Sequence, residues 1–373
     1  MTDAQSAIAS IKTPAAPVEP APGASSHDGP SAQSGQPTPR GVSLHARPLR
    51  NGVDPAGGTI DLLIEASAKS GQASARSAML NLAFVIDRSG SMSGAPLEQA
   101  KRCVAAMIRR MKPSDRAAVV VYDNNVHVPI KSAPVAEILT VLDERLKQIH
   151  SGGMTALHAG WLAGAEEAAK GASSTALSRV LLLSDGNANE GITDIAEVAR
   201  QCGVMADAAV STSTYGLGEH FNEQLMTEMA AKGNGLSCYG ETHDELMPKF
   251  EAEFEALAAT VGRDPSLVIA PAGECLNNYR RHKDGGVLIP NLVEGAASWT
   301  MYRITLPALP LGQSHEIVIE ASYLTAEGVR EKAALRLPIP VVADAAALPK
   351  DGKVADRLRE LEAARIQTDA KMC

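Results

Sequence analysis

The chain has 373 residues, a formal net charge of −8 and an aromatic content of 3%. This length suits one large domain together with a smaller one. The negative charge disfavours bulk attraction to nucleic acid or anionic membranes, and the scarcity of aromatic residues argues against a stacking platform for single-stranded nucleic acid.

No apolar run approaches the roughly 20 residues that span a bilayer. The start of the chain lacks the basic and apolar segments of a secretory signal. The cysteines are scattered and form no CxxC pair, which predicts thiols kept in a reducing compartment. We therefore predict a cytoplasmic protein with no membrane span and no nucleic-acid partner.

The N-terminal part of the chain divides into two segments. Residues 1–40 are rich in Pro, Ala, Ser, Gly and Gln, a composition that buries too little apolar surface to offset ordering, so we predict a disordered tail. Residues 41–77 contain one strand, 59–66, between turn-forming residues. Because a lone strand is unstable, we expect it to pair with a β unit near the C terminus.

Residues 78–260 alternate between apolar strands and amphipathic helices. This alternation predicts an α/β domain with a mostly parallel sheet covered on both faces. The short link through Asp123 and a proline at position 129 predict one antiparallel edge strand. The predicted strands are 82–86, 117–122, 126–130, 178–183, 210–215 and 236–239, and the predicted helices are 96–111, 134–149, 156–170, 194–207, 221–231 and 243–259.

After Gly262 the apolar residues alternate with polar ones at a period of two, with Pro and Gly between the runs. Residues 261–343 are therefore predicted to form a small antiparallel β domain, with a sandwich-like arrangement. Residues 344–373 are predicted to be a C-terminal helix and tail. On this interpretation the α/β domain is inserted into the β domain. The predicted strands of the β domain are 266–269, 298–304, 315–321 and 332–337.

Hydroxyl and carboxylate side chains occur at three separated places, two of them directly after predicted strands. Asp87, Ser89 and Ser91 form a DxSxS pattern, Thr155 follows two glycines and a methionine, and Asp185 follows the strand 178–183 and one serine. Open α/β sheets place ligands at the carboxyl ends of their strands. Oxygen donors without thiolate or imidazole suit a hard cation. The sequence therefore predicts a site for Mg²⁺, or for Mn²⁺ or Ca²⁺.

Each of these residues also has a simpler interpretation. Asp and Ser are common in turns and at helix N-termini, so Ser89 or Ser91 alone could be a helix cap. His158 could lie at the site or in helix packing, and Asp123 could support the site or open a turn. We assign to the rim of the site and its partner surface Gly90, Met154, His158, Gly186, Asn187, Glu190 and Gly218.

With the DxSxS pattern, the threonine and the aspartate in this order, residues 78–259 resemble a von Willebrand factor type A (vWA) domain with a metal-ion-dependent adhesion site. The resemblance implies a Rossmann-like sheet ordered 3-2-1-4-5-6. It implies direct metal ligation by Ser89, Ser91 and Thr155, with Asp87 and Asp185 acting mainly through water. The flanking sequence is similar to bacterial members that, like inter-α-trypsin-inhibitor heavy chains, surround the domain with β structure.

The same resemblance implies a binding protein rather than an enzyme, one whose cation captures an acidic residue of a protein partner. An accessory subunit that docks to an AAA+ ATPase or another intracellular assembly is the alternative. A metal-dependent hydrolase or phosphatase is disfavoured, because Ser89 stands where a dehalogenase-type site needs a second aspartate and no GxSxG elbow is present. The sequence leaves the oligomeric state and the partner open.

Overall fold

The computed structural model describes residues 3–12, 42–68, 78–185, 188–217, 222–282 and 284–372. These residues form two compact units. The first, called here the α/β unit, contains Leu80–Ser173 and Leu177–Glu251 together with the N-terminal helix. The second, called the β unit, contains Arg40–Met79, Ser174–Ala176 and Ala252–Cys373.

Helices and strands alternate in the middle of the chain and strands dominate the part that follows. The helices are α1 (Asp3–Lys12), α2 (Ala95–Arg110), α3 (Val135–Ile138), α4 (Leu142–Lys147), α5 (Leu157–Lys170), α6 (Ile195–Asp207), α7 (Glu223–Lys232), α8 (His243–Ala258) and α9 (Gly352–Met372). The strands are β1 (Val42–Pro48), β2 (Gly58–Ala68), β3 (Met79–Asp87), β4 (Arg116–Tyr122), β5 (Val126–Pro134), β6 (Ala176–Ser184), β7 (Val210–Leu217), β8 (Ser237–Gly240), β9 (Thr260–Ala270), β10 (Glu274–Cys275), β11 (Val287–Leu288), β12 (Leu292–Val293), β13 (Ala297–Leu306), β14 (Ser314–Leu324) and β15 (Arg330–Pro340). Among the described helices, none combines the length and the apolar character needed to cross a bilayer.

The central sheet of the α/β unit has the strand order β5-β4-β3-β6-β7-β8. The pairs β3–β4, β6–β7 and β7–β8 are parallel, and β4–β5 is antiparallel. This arrangement confirms the predicted 3-2-1-4-5-6 order and the antiparallel edge strand. The order reverses between β3 and β6, so the loops that leave these two neighbouring strands border one crevice, the usual ligand position in such sheets.

Successive residues of β3 point to opposite faces of the sheet, and both faces are covered. Val85 belongs to a buried cluster that includes residues of α5, α6 and α7. On the other face, the ring centroids of Phe84 and Phe250 of α8 are 6.4 Å apart. The ring of Tyr215 of β7 makes an edge contact with the same Phe250 ring, with 4.4 Å between the centroids. The run of apolar residues in β3 is therefore explained by burial on both sides.

The β unit contains two antiparallel sheets, one ordered β1-β2-β13-β10 and the other β11-β9-β14-β15, with β12 also paired to β9. Strand β2 pairs with β13 along its whole length, from Gly58 opposite Leu306 to Ser67 opposite Ala297. Apolar side chains of both sheets meet in one buried cluster, which is the core of a β-sandwich. Helix α9 covers one outer surface of this sandwich, where Val354 is fully buried.

Three predictions about secondary structure were wrong. Residues 41–77 contain a second strand, β1, which pairs with β2. Residues 3–12 are a helix rather than part of a disordered tail, because Ala4, Ala7, Ile8 and Ile11 recur at helical spacing and are buried or partly buried. The rest of that predicted tail lies outside the described residues. The single helix predicted for 134–149 is two short helices, α3 and α4. Between them, the Thr140 hydroxyl donates to the Glu137 carbonyl at 2.7 Å and competes with the helical hydrogen bonds.

Candidate metal centre

The first predicted segment of the site begins at the end of β3. Asp87 is fully buried. Its Oδ1 accepts a hydrogen bond from the Ser89 amide at 2.8 Å, and its Oδ2 accepts one from the Ser184 hydroxyl at 2.6 Å. Asp87 therefore links the loop after β3 to the last residue of β6, across the point where the strand order reverses.

The hydroxyls of this loop continue the link toward the third segment. The Oγ atoms of Ser89 and Ser91 are 3.2 Å apart, and Ser91 Oγ donates to Asp185 Oδ1 at 2.9 Å. Ser184, Asp87, Ser89, Ser91 and Asp185 thus form one hydrogen-bonded chain, in which Ser89 is joined to Asp87 through its backbone amide. Its outer end is open, since Ser91 is exposed and Asp185 is half-buried.

The helix-cap interpretation of these serines is not supported by the geometry. Ser89 precedes a short 3₁₀ turn, Gly90–Met92, but makes no side-chain capping hydrogen bond to it. Helix α2 starts at Ala95, directly after Gly94, beyond both serines. Their hydroxyls are instead directed to each other and to Asp185.

The second predicted segment is joined to the first by backbone hydrogen bonds. The Gly90 amide donates to the Gly153 carbonyl at 2.9 Å, and the Gly152 amide donates to the Arg88 carbonyl at 2.7 Å. Position 152 requires glycine, because a Cβ there would lie 1.8 Å from Asp123 Oδ2. These contacts bring the loop that carries Thr155 beside the DxSxS loop.

Thr155 is nearly buried and is held by a residue that the sequence analysis did not single out. Its amide donates to Asn189 Oδ1 at 2.9 Å, and the Asn189 amide donates to the Thr155 carbonyl at 3.2 Å. Asn189 lies four positions after Asp185. The Thr155 loop is therefore tied to the loop after β6 as well as to the loop after β3.

Arg88, the basic residue within DxSxS, does not neutralise the site. Its guanidinium pairs with Asp123 Oδ2 at 2.9 Å. Burial would raise the pKa of Asp123, but hydrogen bonds from the Asn125 and Gly153 amides and the charge of Arg88 lower it. Asp123 therefore has both suggested roles: it opens the turn through Asn125 and it holds the residue next to Asp87.

The two carboxylates of the site lie in surroundings that disfavour negative charge. Burial raises the pKa of Asp87, against the hydrogen bonds from Ser184 and Ser89. Burial, together with the charge of Asp87, raises the pKa of Asp185 to about 6, against the hydrogen bond from Ser91. Within the described part of the chain, neither carboxylate forms an ion pair with a basic side chain. A bound cation would supply the missing positive charge.

Beneath the site lies the ring of Tyr122, which is fully buried. Its hydroxyl has no hydrogen-bond partner of ordinary geometry in the described residues. Burial raises the pKa of Tyr122 well above its ordinary value, and the charge of Asp87 adds to the effect. The ring needs glycine at position 160, where a Cβ would lie 2.3 Å from Tyr122 Cδ1.

The chemistry of the donor set fits a hard divalent cation. In the ranges that the structure describes, no three of His, Cys, Asp and Glu lie together as a metal-ligand cluster. A cation at this crevice would depend on the hydroxyls of Ser89, Ser91 and Thr155 as well as on Asp87 and Asp185. Neutral and anionic oxygen donors favour Mg²⁺, Mn²⁺ or Ca²⁺ over Zn²⁺.

The predicted rim residues are not all at the surface. Met154 and Gly90 are exposed, and Glu190 is half-buried with an Oε2 that has no hydrogen-bond partner among the described residues. His158 is buried, contacts Gln201 Oε1 at 2.7 Å and packs on Trp161, so its assignment to the rim was wrong and helix packing is its role. The remaining rim residues, Gly186, Asn187 and Gly218, lie outside the described residues.

Three residues that support the site were missed by sequence reasoning: Ser184, Asn189 and Tyr122. Ser184 lies in the same tripeptide as Asp185, and its place at the end of an apolar strand is the signal that could have found it. Asn189 lies between two residues that were named, but nothing local distinguishes it from them. Tyr122 ends an apolar strand and was read only as part of the core.

Comparisons with known proteins agree with this architecture. Residues 81–252 match the family model of the von Willebrand factor type A domain. The chain is 30% identical over 179 residues to the Synechocystis protein sll0103, covering 48% of this chain and 42% of that protein. It is 26% identical over 164 residues to inter-alpha-trypsin inhibitor heavy chain H3 of Pongo abelii, covering 42% of this chain and 19% of that protein. The matches thus span less than half the length of either curated relative.

A solved structure shows the same fold over most of the chain. The von Willebrand factor type A structure from Catenulispora acidiphila superposes with a TM-score of 0.70 at 15% sequence identity. The superposition covers 85% of this chain and 78% of that one, and so extends beyond the central sheet. The resemblance predicted from the motif residues is confirmed by the family model, the relatives and this fold. Residues 81–252 of the chain are therefore a von Willebrand factor type A domain.

Proposed function

We propose that this protein is a metal-dependent protein-binding module. Asp87, Ser89, Ser91, Thr155 and Asp185 hold a divalent cation, in the first place Mg²⁺, and a partner protein supplies a further ligand through an Asp or Glu side chain. The observation that carries this proposal is the hydrogen-bonded chain from Ser184 through Asp87, Ser89 and Ser91 to Asp185, which is buried at one end, open at the other and lacks a basic partner in the described residues.

The residues of the site have different roles in binding the cation. Asp87 is anchored by Ser184 and the Ser89 amide, so it contributes charge from below the crevice rather than from its mouth. Ser91 and Asp185 are at the open end. When bound, the cation would supply a Lewis-acidic centre for a carboxylate oxygen. Hydroxyl ligands are neutral, so they leave more of the positive charge uncompensated than carboxylate ligands would.

The rim indicates what surrounds that carboxylate on the partner. Met154, next to Thr155, is 52% exposed, and Ile192 in the loop after β6 is 40% exposed. An exposed, flexible methionine beside a polar site favours a partner whose acidic residue has an apolar neighbour. The match to the von Willebrand factor type A domain supports a binding role rather than catalysis.

The proposal is tested with the full chain as bait in a pull-down from cells that produce it. Partners captured in Mg²⁺ should be released by EDTA and recovered when Mg²⁺ is restored. The variant Asp185→Asn, which keeps the shape of the side chain but removes its charge, should capture none of them. Asp143→Asn is the matched control, since that carboxylate on α4 is 70% exposed and pairs with Arg109 rather than with a residue of the site. Retention of the same partners in EDTA and by Asp185→Asn would refute the proposal.

A further inference from the structure

One side of helix α1 is apolar and packs against the rest of the α/β unit. Ala4 and Ala7 are buried, at 1% and 8% exposure, and Ile8 and Ile11 are partly buried against the same hydrophobic cluster. The cluster contains residues of α5 and α6, the two helices that α1 contacts. Lys12 at the end of α1 forms an ion pair with Glu166 of α5. The opposite side of α1, with Ser6 and Ser10, is exposed.

The helical state of α1 depends on this packing. A helix of ten residues is marginal when isolated in water, because nucleation is unfavourable and few hydrogen bonds follow it. No side chain of α1 larger than alanine is fully buried, so the packed apolar area is small. Folding and docking of α1 are therefore coupled, and the free energy that holds α1 in its docked position is small.

The surface under α1 is suited to receive a helix. Helix α5 has five alanines among its 14 residues, whereas its two glycines, Gly160 and Gly164, face Tyr122 and Val85 of the sheet. Small side chains allow two helix backbones to approach closely. Helix α6 adds larger apolar residues to the cluster, among them Val198 and Met205. Close approach along one helix and apolar packing along the other form a groove with a definite fit for an Ala/Ile-faced helix.

We propose that the α5–α6 face is a helix-binding groove and that α1 is its tethered, exchangeable occupant. The groove recognises alanines at positions i and i+3 and isoleucines at i+4 and i+7, the pattern of Ala4, Ala7, Ile8 and Ile11. A helix with this pattern from outside the chain binds when α1 leaves. Covalent attachment raises the local concentration of α1, so the tethered helix outcompetes a free one. This site is distinct from the metal centre and does not depend on it.

The test uses the full chain and a fluorescent peptide of residues 1–13. Ala7→Arg in the chain puts a charged, long side chain at a buried position and should empty the groove. Ser6→Arg adds the same side chain one position away, where α1 is exposed, and should leave α1 in place. By fluorescence anisotropy, the peptide should bind the Ala7→Arg chain at least about tenfold more tightly than the wild-type or Ser6→Arg chain, because occupied grooves reduce the apparent affinity. A peptide that itself carries Ala7→Arg should not bind.

Circular dichroism and thermal unfolding of the Ala7→Arg chain establish that the α/β unit is intact before the titration. If that chain is unfolded, Ala4→Arg replaces it as the variant with an empty groove. Equal affinity of the peptide for the folded variant, the wild-type chain and Ser6→Arg would overturn the proposal. Absence of binding to the folded variant at about millimolar peptide, the order of the effective concentrations that flexible linkers provide, would also overturn it.

Discussion

Asn189 and Thr155 hold each other through a reciprocal pair of hydrogen bonds. Asn189 Oδ1 accepts a hydrogen bond from the Thr155 backbone amide at 2.9 Å, and the Asn189 backbone amide donates one to the Thr155 carbonyl at 3.2 Å. The pair joins the loop before α5 to the loop before α6. The candidate ligand from the second segment is therefore positioned by the third, so the site is assembled as a unit.

Removal of the side-chain hydrogen bond of this pair should weaken metal binding without removing a ligand. In Asn189→Ala the Thr155 amide loses its side-chain acceptor. We expect the Mg²⁺ affinity to fall about tenfold or more, as is usual for residues that orient ligands, and isothermal titration calorimetry measures it. Asn189→Asp keeps an acceptor oxygen at the same place and should retain more of the affinity than the alanine variant. Wild-type affinity in Asn189→Ala would show that Thr155 needs no such support.

Addition of Mg²⁺ should stabilise the fold. Ligands that bind only the folded state raise the free energy of unfolding by about 2.7 kcal/mol at a concentration of 100 times the dissociation constant. The melting temperature of the wild-type chain should therefore rise with Mg²⁺ and return with EDTA. Asp87→Asn should abolish the rise, whereas Asp143→Asn, at an exposed position, should keep it. A rise of equal size in Asp87→Asn would place the ion elsewhere.

The effect of Mg²⁺ should depend on pH around the titration of Asp185. Burial raises the pKa of this carboxyl from 3.8 to about 6, so the metal-free folded chain holds the proton more tightly than the unfolded chain. Asp185 thus favours the metal-free fold at low pH, and that contribution is lost as the pH rises through about 6. Because protons compete with the cation, the Mg²⁺-induced rise in melting temperature should be larger at pH 7.5 than at pH 5. A pH-independent rise in that range would exclude Asp185 as the competing group.

Gly160 should be intolerant of a methyl group. A Cβ at this position would lie 2.3 Å from Tyr122 Cδ1, and the fully buried ring has little room to move. Overpacking of this kind costs about 1–3 kcal/mol, so Gly160→Ala should lower the free energy of unfolding in urea by that amount. Gly352→Ala is the control, since a Cβ there meets no atom within 4 Å. Equal stability of the two variants would mean that the ring beneath Asp87 can shift.

Local patterns in the sequence were sufficient for the central sheet and for the proximity of Asp87 and Asp185. The apolar runs of β3 and β6 and the helices that follow them predict a parallel sheet, because strands covered on both faces must be apolar throughout. The carboxyl ends of such strands meet at one edge. Asp87 and Asp185 could therefore be placed near each other from their positions alone, before any contact was known.

Contacts between distant residues were decided only by the tertiary structure. Ser184 reaches Asp87 from 97 positions away, and Asn189 reaches Thr155 from 34. His158 contacts Gln201 rather than the crevice because this residue of α6 lies on that side of α5. Helix α1 could not be predicted from its segment, whose average composition indicates disorder. A helix of this length forms only where α5 and α6 provide a surface for it. Composition and periodicity describe which surfaces a segment must bury, but the partner that buries them depends on which elements become neighbours when the whole chain folds.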